Sequence, residues 1–285
     1  KMLRIAVQSK GRLYDETMEL LAQAGIKFPA VKRTLLVPSR NFPVEVLYLR
    51  DDDIPDSVAT GTADVGIVGM NEVLEKCQQV QVLHQLGFSR CRLSLAIPRD
   101  VAYNGVQWFE GKKIATSYPR ILKGFLDKNG IKADIHVING SVEIAPSIGL
   151  ADGIFDIVSS GGTLVSNNLA EVEKVIDSQA VLIGGLGKLA TEKQEVLDEL
   201  IFRFKAVKAA DGKKYLLMNV PRARLDEVVA ILPGIKSPTI LPLADENWCS
   251  VHSVIEEANF WDIVTRLKEA GAEGILVLDI MKMVP

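Results

Sequence analysis

Residues 159–163, with the sequence Ser-Ser-Gly-Gly-Thr, have the composition of an anion-binding loop. They follow an apolar segment, 154–158, and a helix-like segment, 166–173, comes after them. A strand that ends in glycine and hydroxyl residues before a helix directs backbone N–H groups at one point, where phosphate is the usual ligand. The same composition is equally typical of an ordinary loop between a strand and a helix. The loop matches neither the Walker pattern nor the dinucleotide-binding glycine pattern.

Further motifs accompany this loop in a fixed order along the chain. They are QSKGRL at 8–13, RDDDIP at 50–55, ADVGIVG at 63–69, CRLSLA at 91–96, IATSYP at 114–119, GSVE at 140–143, GLAD at 149–152, DIVSSGGTL at 156–164 and SPTILPLA at 237–244. In this order the motifs resemble those of the ATP phosphoribosyltransferase family, in its long form with a C-terminal regulatory domain. The resemblance runs from residue 3 to the end of the chain.

The resemblance implies a reaction that joins N1 of ATP to C1 of phosphoribosyl pyrophosphate and releases pyrophosphate, at the first step of histidine biosynthesis. Because the ribose carbon passes through a positive, oxocarbenium-like state, orientation and charge neutralisation should dominate catalysis. Mg²⁺ is the expected cofactor, carried by the polyphosphates and held by few protein ligands. The expected small-molecule partners are ATP, phosphoribosyl pyrophosphate and histidine as an inhibitor, and AMP is a further candidate.

The site residues expected from this resemblance fall into three overlapping groups. The catalytic candidates are Lys10, Arg12, Arg50, Glu143 and Asp156. The candidates for binding phosphoribosyl pyrophosphate are Glu143, Asp156, Ser159, Ser160, Gly161, Gly162 and Thr163. Those for binding ATP are Arg12, Gly69, Arg92 and Tyr118. The loop would hold the 5-phosphate, the two carboxylates would accept hydrogen bonds from ribose hydroxyls, and the cations would offset phosphate charge.

Several of these residues have a second interpretation. Arg92 interrupts an apolar strand, so it is either an edge residue or a cation directed into a cleft. Tyr118 either lies against adenine or is a buried structural tyrosine. The aspartates at 51–53 could bind a metal, but such turns before helices are more often caps and solvated loops, and we expect Asp53 to cap a helix. Structural positions are expected for the three histidines, His84, His136 and His252.

Composition excludes some classes of function. The 285 residues carry a formal net charge of −3, so no global positive field attracts nucleic acid or an anionic membrane. Three widely spaced cysteines form neither a disulfide framework nor a zinc-binding spacing, which favours a cytoplasmic protein. The apolar run at the start is too short for a signal peptide, and no window reaches the length of a membrane span.

Alternating strand and helix patterns up to about residue 207 predict an α/β fold with parallel, helix-covered sheets, and the length favours two lobes. The family resemblance implies a bilobed core similar to type II periplasmic binding proteins. We expect residues 1–90 and 180–207 to form catalytic lobe I, and residues 91–179, with the phosphoribosyl pyrophosphate loop, to form catalytic lobe II. A charged segment, 208–214, is the expected linker after a long helix at 191–207.

Residues 208–285 form the third expected domain. Their pattern of strand, helix, strand, strand, helix, strand is the ferredoxin-like βαββαβ plan, which serves both ligand sensors and plain scaffolds. By resemblance it is an ACT-like domain that binds histidine and inhibits the enzyme, with Asn219, Thr239 and Gly274 at the positions of the ligand contacts. The resemblance also implies dimers that assemble into hexamers.

Two other functions fit part of the pattern. A bilobed α/β core with an appended sensor could be a non-catalytic protein that binds a small ligand. A transferase acting on another base is the second alternative, but such enzymes usually carry paired acidic residues ahead of the phosphate loop. Here Phe155 precedes the single Asp156, and the C-terminal module fits that alternative poorly.

Overall fold

The computed structural model describes residues 1–30, 34–232 and 236–285. Its contacts divide the chain into two units, Lys1–Glu199 and Leu200–Pro285. The strands of the first unit are β1 (Leu3–Gln8), β2 (Leu36–Pro38), β3 (Val44–Leu49), β4 (Val65–Gly69), β5 (Val80–Gln85), β6 (Cys91–Pro98), β7 (Lys113–Thr116), β8 (Asp134–Val137), β9 (Gly153–Val158), β10 (Leu169–Ser178) and β11 (Ala180–Gly185). Its helices are α1 (Arg12–Gln23), α2 (Ile54–Ala59), α3 (Met70–Lys76), α4 (Pro119–Lys128) and α5 (Gly162–Ser166), and α6 (Thr191–Ala209) runs from this unit into the second.

The first unit contains two sheets. The order is β2-β3-β1-β4-β11-β5 in the six-stranded sheet, which we call lobe I with its helices, and β10-β6-β9-β7-β8 in the five-stranded sheet, which we call lobe II. The chain passes between the lobes at residues 86–90 and at Gln179. Buried apolar runs hold each sheet, and Leu3, Ile5 and Val7 of β1 are fully buried. Burying each such side chain contributes about 1.5–3 kcal/mol.

Both sheets are mixed, so the expectation of parallel sheets was wrong in part. β1 is parallel to β3 and β4, and β7 is parallel to β8 and β9. β11 is antiparallel to β4, and β6 is antiparallel to both β9 and β10. The antiparallel strands β6 and β11 are those that follow the two crossings between lobes. They therefore enter their sheets without the helical crossover that a parallel neighbour requires.

Three local predictions were also wrong. The helix expected at 166–173 is the strand β10, because the α5 helix ends at Ser166 and residues 169–178 pair along β6. Asp53 precedes α2, but its side chain makes no capping hydrogen bond. Asp53 has helical backbone angles because residues 51–53 form a 3₁₀ helix, whereas a capping residue is usually extended. The expected linker is shorter than 208–214, since α6 runs to Ala209.

The second unit confirms the βαββαβ plan. Its elements are β12 (Lys213–Pro221), α7 (Leu225–Ile231), β13 (Thr239–Pro242), β14 (Trp248–Glu256), α8 (Phe260–Glu269) and β15 (Glu273–Asp279), and the sheet order is β13-β14-β12-β15. Alternate residues of β12 and β14 form the core with α7 and α8, among them Leu216, Met218 and Val251. Pro233 and Gly234, which we expected in the turn after α7, lie outside the described residues. Within the described ranges, every helix is too short or too polar to cross a membrane.

Candidate active site

The loop after β9 forms a small pocket at the carboxyl end of that strand. The pocket has a volume of about 140 Å³ and is lined by Glu143 and residues 156–164. Gly161 has a φ of 85°, a left-handed conformation that residues with a Cβ rarely adopt, and it immediately precedes α5. The structure therefore brings together all seven residues predicted to bind phosphoribosyl pyrophosphate.

Backbone N–H groups of this loop are free to receive an anion. The N–H of Gly162 donates to Ser160 Oγ at 3.4 Å, and the N–H of Val165 donates to the carbonyl of Gly161 at 3.1 Å. In the described part of the chain, the N–H groups of Ser160, Gly161 and Thr163 donate no hydrogen bond. A concave loop with several such donors can bind phosphate, because the phosphate oxygens accept their hydrogen bonds.

Two carboxylates lie beside the loop. The pKa of Asp156 is raised from its ordinary value of 3.8 to about 6, mainly because of burial and also because of the nearby charge of Glu143, while the hydrogen bond from the Ile157 N–H opposes the rise. That N–H donates to Asp156 Oδ1 at 2.8 Å and so fixes the carboxylate. Half-buried carboxylates of this kind suit hydroxyl groups better than phosphates, whose charge they would repel.

Arg92 is tied to the loop from the neighbouring strand. Its Nε and Nη2 each donate to Glu171 at 2.6 Å, and its Nη1 donates to the carbonyl of Ser159 at 3.1 Å. Hydrogen bonds to Arg92 lower the pKa of Glu171, which also accepts a bond from Ser94 Oγ at 2.7 Å. Arg92 thus supports the loop in this structure. Sequence reasoning missed Glu171, because the segment was expected to be helical and 79 residues separate it from Arg92.

The predicted cations of lobe I lie at the carboxyl ends of its parallel strands. Lys10 and Arg12 follow β1, where Gly11 has a φ of 95°, and Arg50 follows β3. Arg12 Nε donates to Glu16 Oε1 at 2.6 Å, and Arg50 Nε donates to Asp52 Oδ1 at 3.1 Å. Both guanidinium groups are exposed and bound to carboxylates of their own segment, so a phosphate ligand would have to replace those partners.

Gly69 has a steric reason to be glycine. A Cβ at this position would lie 2.3 Å from Asn71 Oδ1. Asn71 is held there because Ser178 Oγ donates to the same Oδ1 at 2.9 Å and accepts the Asn71 N–H at 3.0 Å. The glycine therefore makes room for the Asn71 side chain at the start of α3, whether or not ATP also contacts it.

Tyr118 lies between the two lobes and is 8% exposed. Its hydroxyl accepts a bond from Asn71 Nδ2 and donates to Glu72 Oε1, each at 3.3 Å. Burial raises the pKa of Tyr118 well above its ordinary range, and the charges of Glu72, Asp156 and Asp51 add to the rise. Burial likewise raises the pKa of Glu72 to about 7. This geometry favours the structural interpretation of Tyr118 over stacking on adenine.

The Tyr118 hydroxyl, after β7, contacts Asn71 and Glu72, after β4, so these two strand edges face one another. We call the space between them the cleft: the loops after β1, β3 and β4 lie on one side, and the loops after the parallel strands β7 and β9 lie on the other. A larger cavity of about 300 Å³ lies at the other edge of the six-stranded sheet, where β4 begins and β11 ends. None of the predicted site residues lines that cavity, which we do not treat as the active site.

The three residues predicted to bind histidine lie on one sheet of the second unit. Asn219 of β12 is paired with Glu273 of β15, and a Cβ on the adjacent Gly274 would lie 3.4 Å from Asn219 Nδ2. Thr239 is on β13, with β14 between it and β12. Asn219 and Gly274 are adjacent, whereas Thr239 is two strands away and level with Leu217, which places it roughly 12 Å from Asn219.

The fold and the cleft define a class of protein, namely two-lobed α/β proteins that bind a phosphorylated, hydroxyl-bearing ligand at the facing strand edges. Sequence comparison narrows that class. The family described as ATP phosphoribosyltransferase matches residues 50–206, and the C-terminal domain of the same family matches residues 210–282. The chain therefore belongs to the ATP phosphoribosyltransferase family, in the long form that carries the C-terminal domain.

Individual relatives agree with this assignment. The chain is 64% identical over 283 residues to the ATP phosphoribosyltransferase of Bacteroides thetaiotaomicron, and 65% identical over 283 residues to that of Parabacteroides distasonis. Each comparison covers 99% of this chain and 100% of the relative.

Solved structures support the fold. The ATP phosphoribosyl transferase (HisG:HisZ) complex from Thermotoga maritima has a chain that is 27% identical, with a TM-score of 0.61 over 71% of this chain and 98% of that chain. The substrate binding protein of an amino acid ABC transporter has a TM-score of 0.50 at 12% identity, over 74% of this chain and 94% of that one. At that identity the likeness concerns the fold alone, and it agrees with the expected bilobed architecture.

Proposed function

We propose that the cleft of the first unit transfers the phosphoribosyl group of phosphoribosyl pyrophosphate to N1 of ATP. The activity is that of the family, the first step of histidine biosynthesis. The observation that carries the proposal is the pocket after β9, which combines free N–H groups with the carboxylates of Glu143 and Asp156. Residues 159–163 bind the 5-phosphate, and the carboxylates accept hydrogen bonds from ribose hydroxyls and orient C1 toward the incoming base.

In this proposal Lys10, Arg12 and Arg50 neutralise the departing pyrophosphate and the triphosphate of ATP. They come from the loops of lobe I that face the phosphate pocket. Charge builds on pyrophosphate as its bond to C1 breaks, so cations that meet it there stabilise the transition state more than the ground state. Each such contact lowers the activation free energy by about 2–4 kcal/mol.

ATP enters between the same loops. Gly69, Arg12, Arg92 and Tyr118 remain our candidates for its contacts, although Arg92 and Tyr118 both have protein partners already. We propose Mg²⁺ as the cofactor, bound mainly through polyphosphate oxygens. Among the described residues, no group of three or more His, Cys, Asp or Glu side chains is arranged to hold a metal ion. When bound, the ion would offset the charge of the leaving pyrophosphate.

We further propose that the second unit binds histidine and inhibits the enzyme. Asn219 and Gly274 would contact the ligand together, and Thr239 would contact it from the other side of β14. AMP is a candidate for a second inhibitor, and self-association as dimers and hexamers belongs to the same proposal. The proposal also includes a cytoplasmic location and three domains. These are catalytic lobe I at 1–90 and 180–207, catalytic lobe II at 91–179 and the regulatory domain at 208–285.

A turnover assay tests the proposal directly. Purified protein with ATP, phosphoribosyl pyrophosphate and Mg²⁺ should form phosphoribosyl-ATP, which is measured by its ultraviolet absorbance. Histidine should lower the rate of this reaction. Activity that histidine does not affect would refute the regulatory part and leave the catalytic part intact. Saturable binding of ATP or of phosphoribosyl pyrophosphate without any product would contradict the catalytic part and favour the non-catalytic alternative.

A further inference from the structure

The short helix α3 buries its polar side chains. Asn71, Glu72 and Glu75 are 5%, 6% and 9% exposed, whereas Leu74 of the same helix is 39% exposed. A surface helix normally does the reverse, so the buried polar groups must be compensated by specific partners. All the partners that the structure gives to Asn71 and Glu75, other than those within α3, lie in lobe II or at its boundary.

Glu75 binds the first turn of α4. Its Oε1 accepts the N–H of Arg120 at 2.9 Å, and its Oε2 accepts the N–H of Ile121 at 3.0 Å. The other N–H groups at this helix start are accounted for within lobe II. Tyr118 donates to Thr116 Oγ1 at 2.9 Å, and Leu122 donates to the Tyr118 carbonyl at 3.1 Å.

Pro119, between them, has no N–H, so the helix start leaves only the donors of Arg120 and Ile121 for an outside partner. A carboxylate is the best acceptor there, because the start of a helix carries a partial positive charge. Both acceptor oxygens belong to Glu75 of lobe I. The bond pair therefore connects the lobes through rigid elements rather than through loops.

Asn71 makes a second connection beside the first. It exchanges two hydrogen bonds with Ser178, at the end of β10, and donates a third to the Tyr118 hydroxyl. Because β10 pairs with β6 of lobe II, α3 is held at two separate places on that lobe. A rotation that moves α3 away from α4 would have to break the bonds of Glu75, and one that moves α3 away from the end of β10 would have to break those of Asn71.

We propose that Glu75 is a positioning residue that fixes the separation of the two lobes, and thereby the distance between the phosphate pocket and the cations of lobe I. It touches no substrate and acts through α4. The proposal takes the cleft of the proposed function as the substrate site. Loss of Glu75 would reduce the fraction of molecules with the lobes correctly spaced, and the apparent affinity of both substrates would fall by the same factor.

Steady-state kinetics of Glu75→Ala, Glu75→Gln and the wild type test this proposal. Each apparent KM is measured with the other substrate held well below its own KM, so that the lobe spacing is not already restored by that substrate. In Glu75→Ala we expect the apparent KM for ATP and that for phosphoribosyl pyrophosphate to rise together, each about tenfold, while kcat with both substrates saturating changes less than about threefold. Glu75→Gln keeps one acceptor oxygen, so its KM values should lie between those of Glu75→Ala and the wild type.

Glu110→Ala is the matched control, since Glu110 Oε2 accepts the Lys132 N–H at 2.8 Å within lobe II alone. It should leave both KM values unchanged. A merely structural Glu75 would lower kcat and the melting temperature with unchanged KM, and that result would overturn the proposal, as would a rise in KM for one substrate only. Should Glu75→Ala fail to fold, the same comparison is made with Glu75→Gln. An inactive wild type would refute the proposed function instead, and phosphoribosyl pyrophosphate binding by calorimetry would then report the affinity of the same variants.

Discussion

The polar groups on the two sides of the cleft are held in different ways. On the lobe II side, the loop after β9 is held by its own backbone, by Asp156 bonded to the next N–H, and by the Arg92 and Glu171 pair. On the lobe I side, Arg12 and Arg50 are exposed and paired with carboxylates one turn or two residues away. One side is assembled before a ligand arrives, and the other has to exchange partners.

The backbone donors of lobe II and the cations of lobe I should therefore contribute differently to binding and to catalysis. Donors fixed by the backbone need no reorganisation, so in the proposed function they would serve ground-state binding of the 5-phosphate, which does not change during the reaction. The exposed arginines would lose side-chain entropy on binding but could follow the pyrophosphate as it departs. Substitutions in lobe II should accordingly affect both binding and stability, whereas substitutions of the lobe I cations should affect turnover with little change in stability.

The largest effect should come from Asp156→Asn. Asparagine keeps the oxygen that accepts the Ile157 N–H but loses the charge that strengthens hydrogen bonds from ribose hydroxyls. We expect kcat/KM for phosphoribosyl pyrophosphate to fall about 100-fold at pH 8, equivalent to about 2.7 kcal/mol. A near-normal kcat/KM in Asp156→Asn would show that this residue does not take part in the site.

The same variant should be more stable than the wild type at high pH. The pKa of Asp156 is raised from 3.8 to about 6 in the folded state, so the folded protein binds this proton more tightly than the unfolded chain. The carboxylate therefore destabilises the fold fully above pH 6 and not at all well below pH 4. Urea unfolding should show Asp156→Asn gaining at most about 3 kcal/mol at pH 8 and losing that advantage near pH 4. Asp134→Asn, at an exposed aspartate of β8, is measured in parallel as the control.

Glu171→Gln should have an intermediate effect. The amide cannot accept both guanidinium bonds, so Arg92 loses its bidentate partner and holds the Ser159 carbonyl less firmly. We expect KM for phosphoribosyl pyrophosphate to rise about tenfold, or about 1.4 kcal/mol, with KM for ATP unchanged. Glu173→Gln on the same strand is the control, since Glu173 is bonded to Tyr103 and not to the loop. Equal shifts in both variants would show that β10, rather than this pair, supports the pocket.

Sequence alone was sufficient for the parts of this molecule that are local. Asp156 lies near the end of β9 and the loop residues follow that strand directly, so their proximity needs no knowledge of the tertiary fold. The βαββαβ unit could be predicted for the same reason, because apolar runs bounded by glycine, proline and charged residues mark each element.

The parts that sequence did not predict depend on contacts between distant segments. Residues 171–174 contain two glutamates and a lysine, which are good helix formers, yet pairing with β6 makes the segment a strand. Glu75 has no motif of its own, and its place at the start of α4 arises only when two lobes pack together. The antiparallel directions of β6 and β11 likewise follow from the crossings between lobes. The periodicity of apolar residues carries no information on strand direction.

The smallest effect on the fold should come from Arg50→Ala, which tests the lobe I side of the comparison. The Arg50 side chain is 76% exposed and its bond to Asp52 is an exposed ion pair, a type that contributes little to stability. We therefore expect the free energy of unfolding to change by no more than about 0.5 kcal/mol, measured by urea denaturation, while kcat falls. Lys123→Ala, which removes an exposed ion pair with Asp127 on α4, should change neither quantity. A loss of more than about 1 kcal/mol in Arg50→Ala would mean that the loop after β3 is assembled in advance, as the loop after β9 is, and the contrast between the two sides would no longer hold.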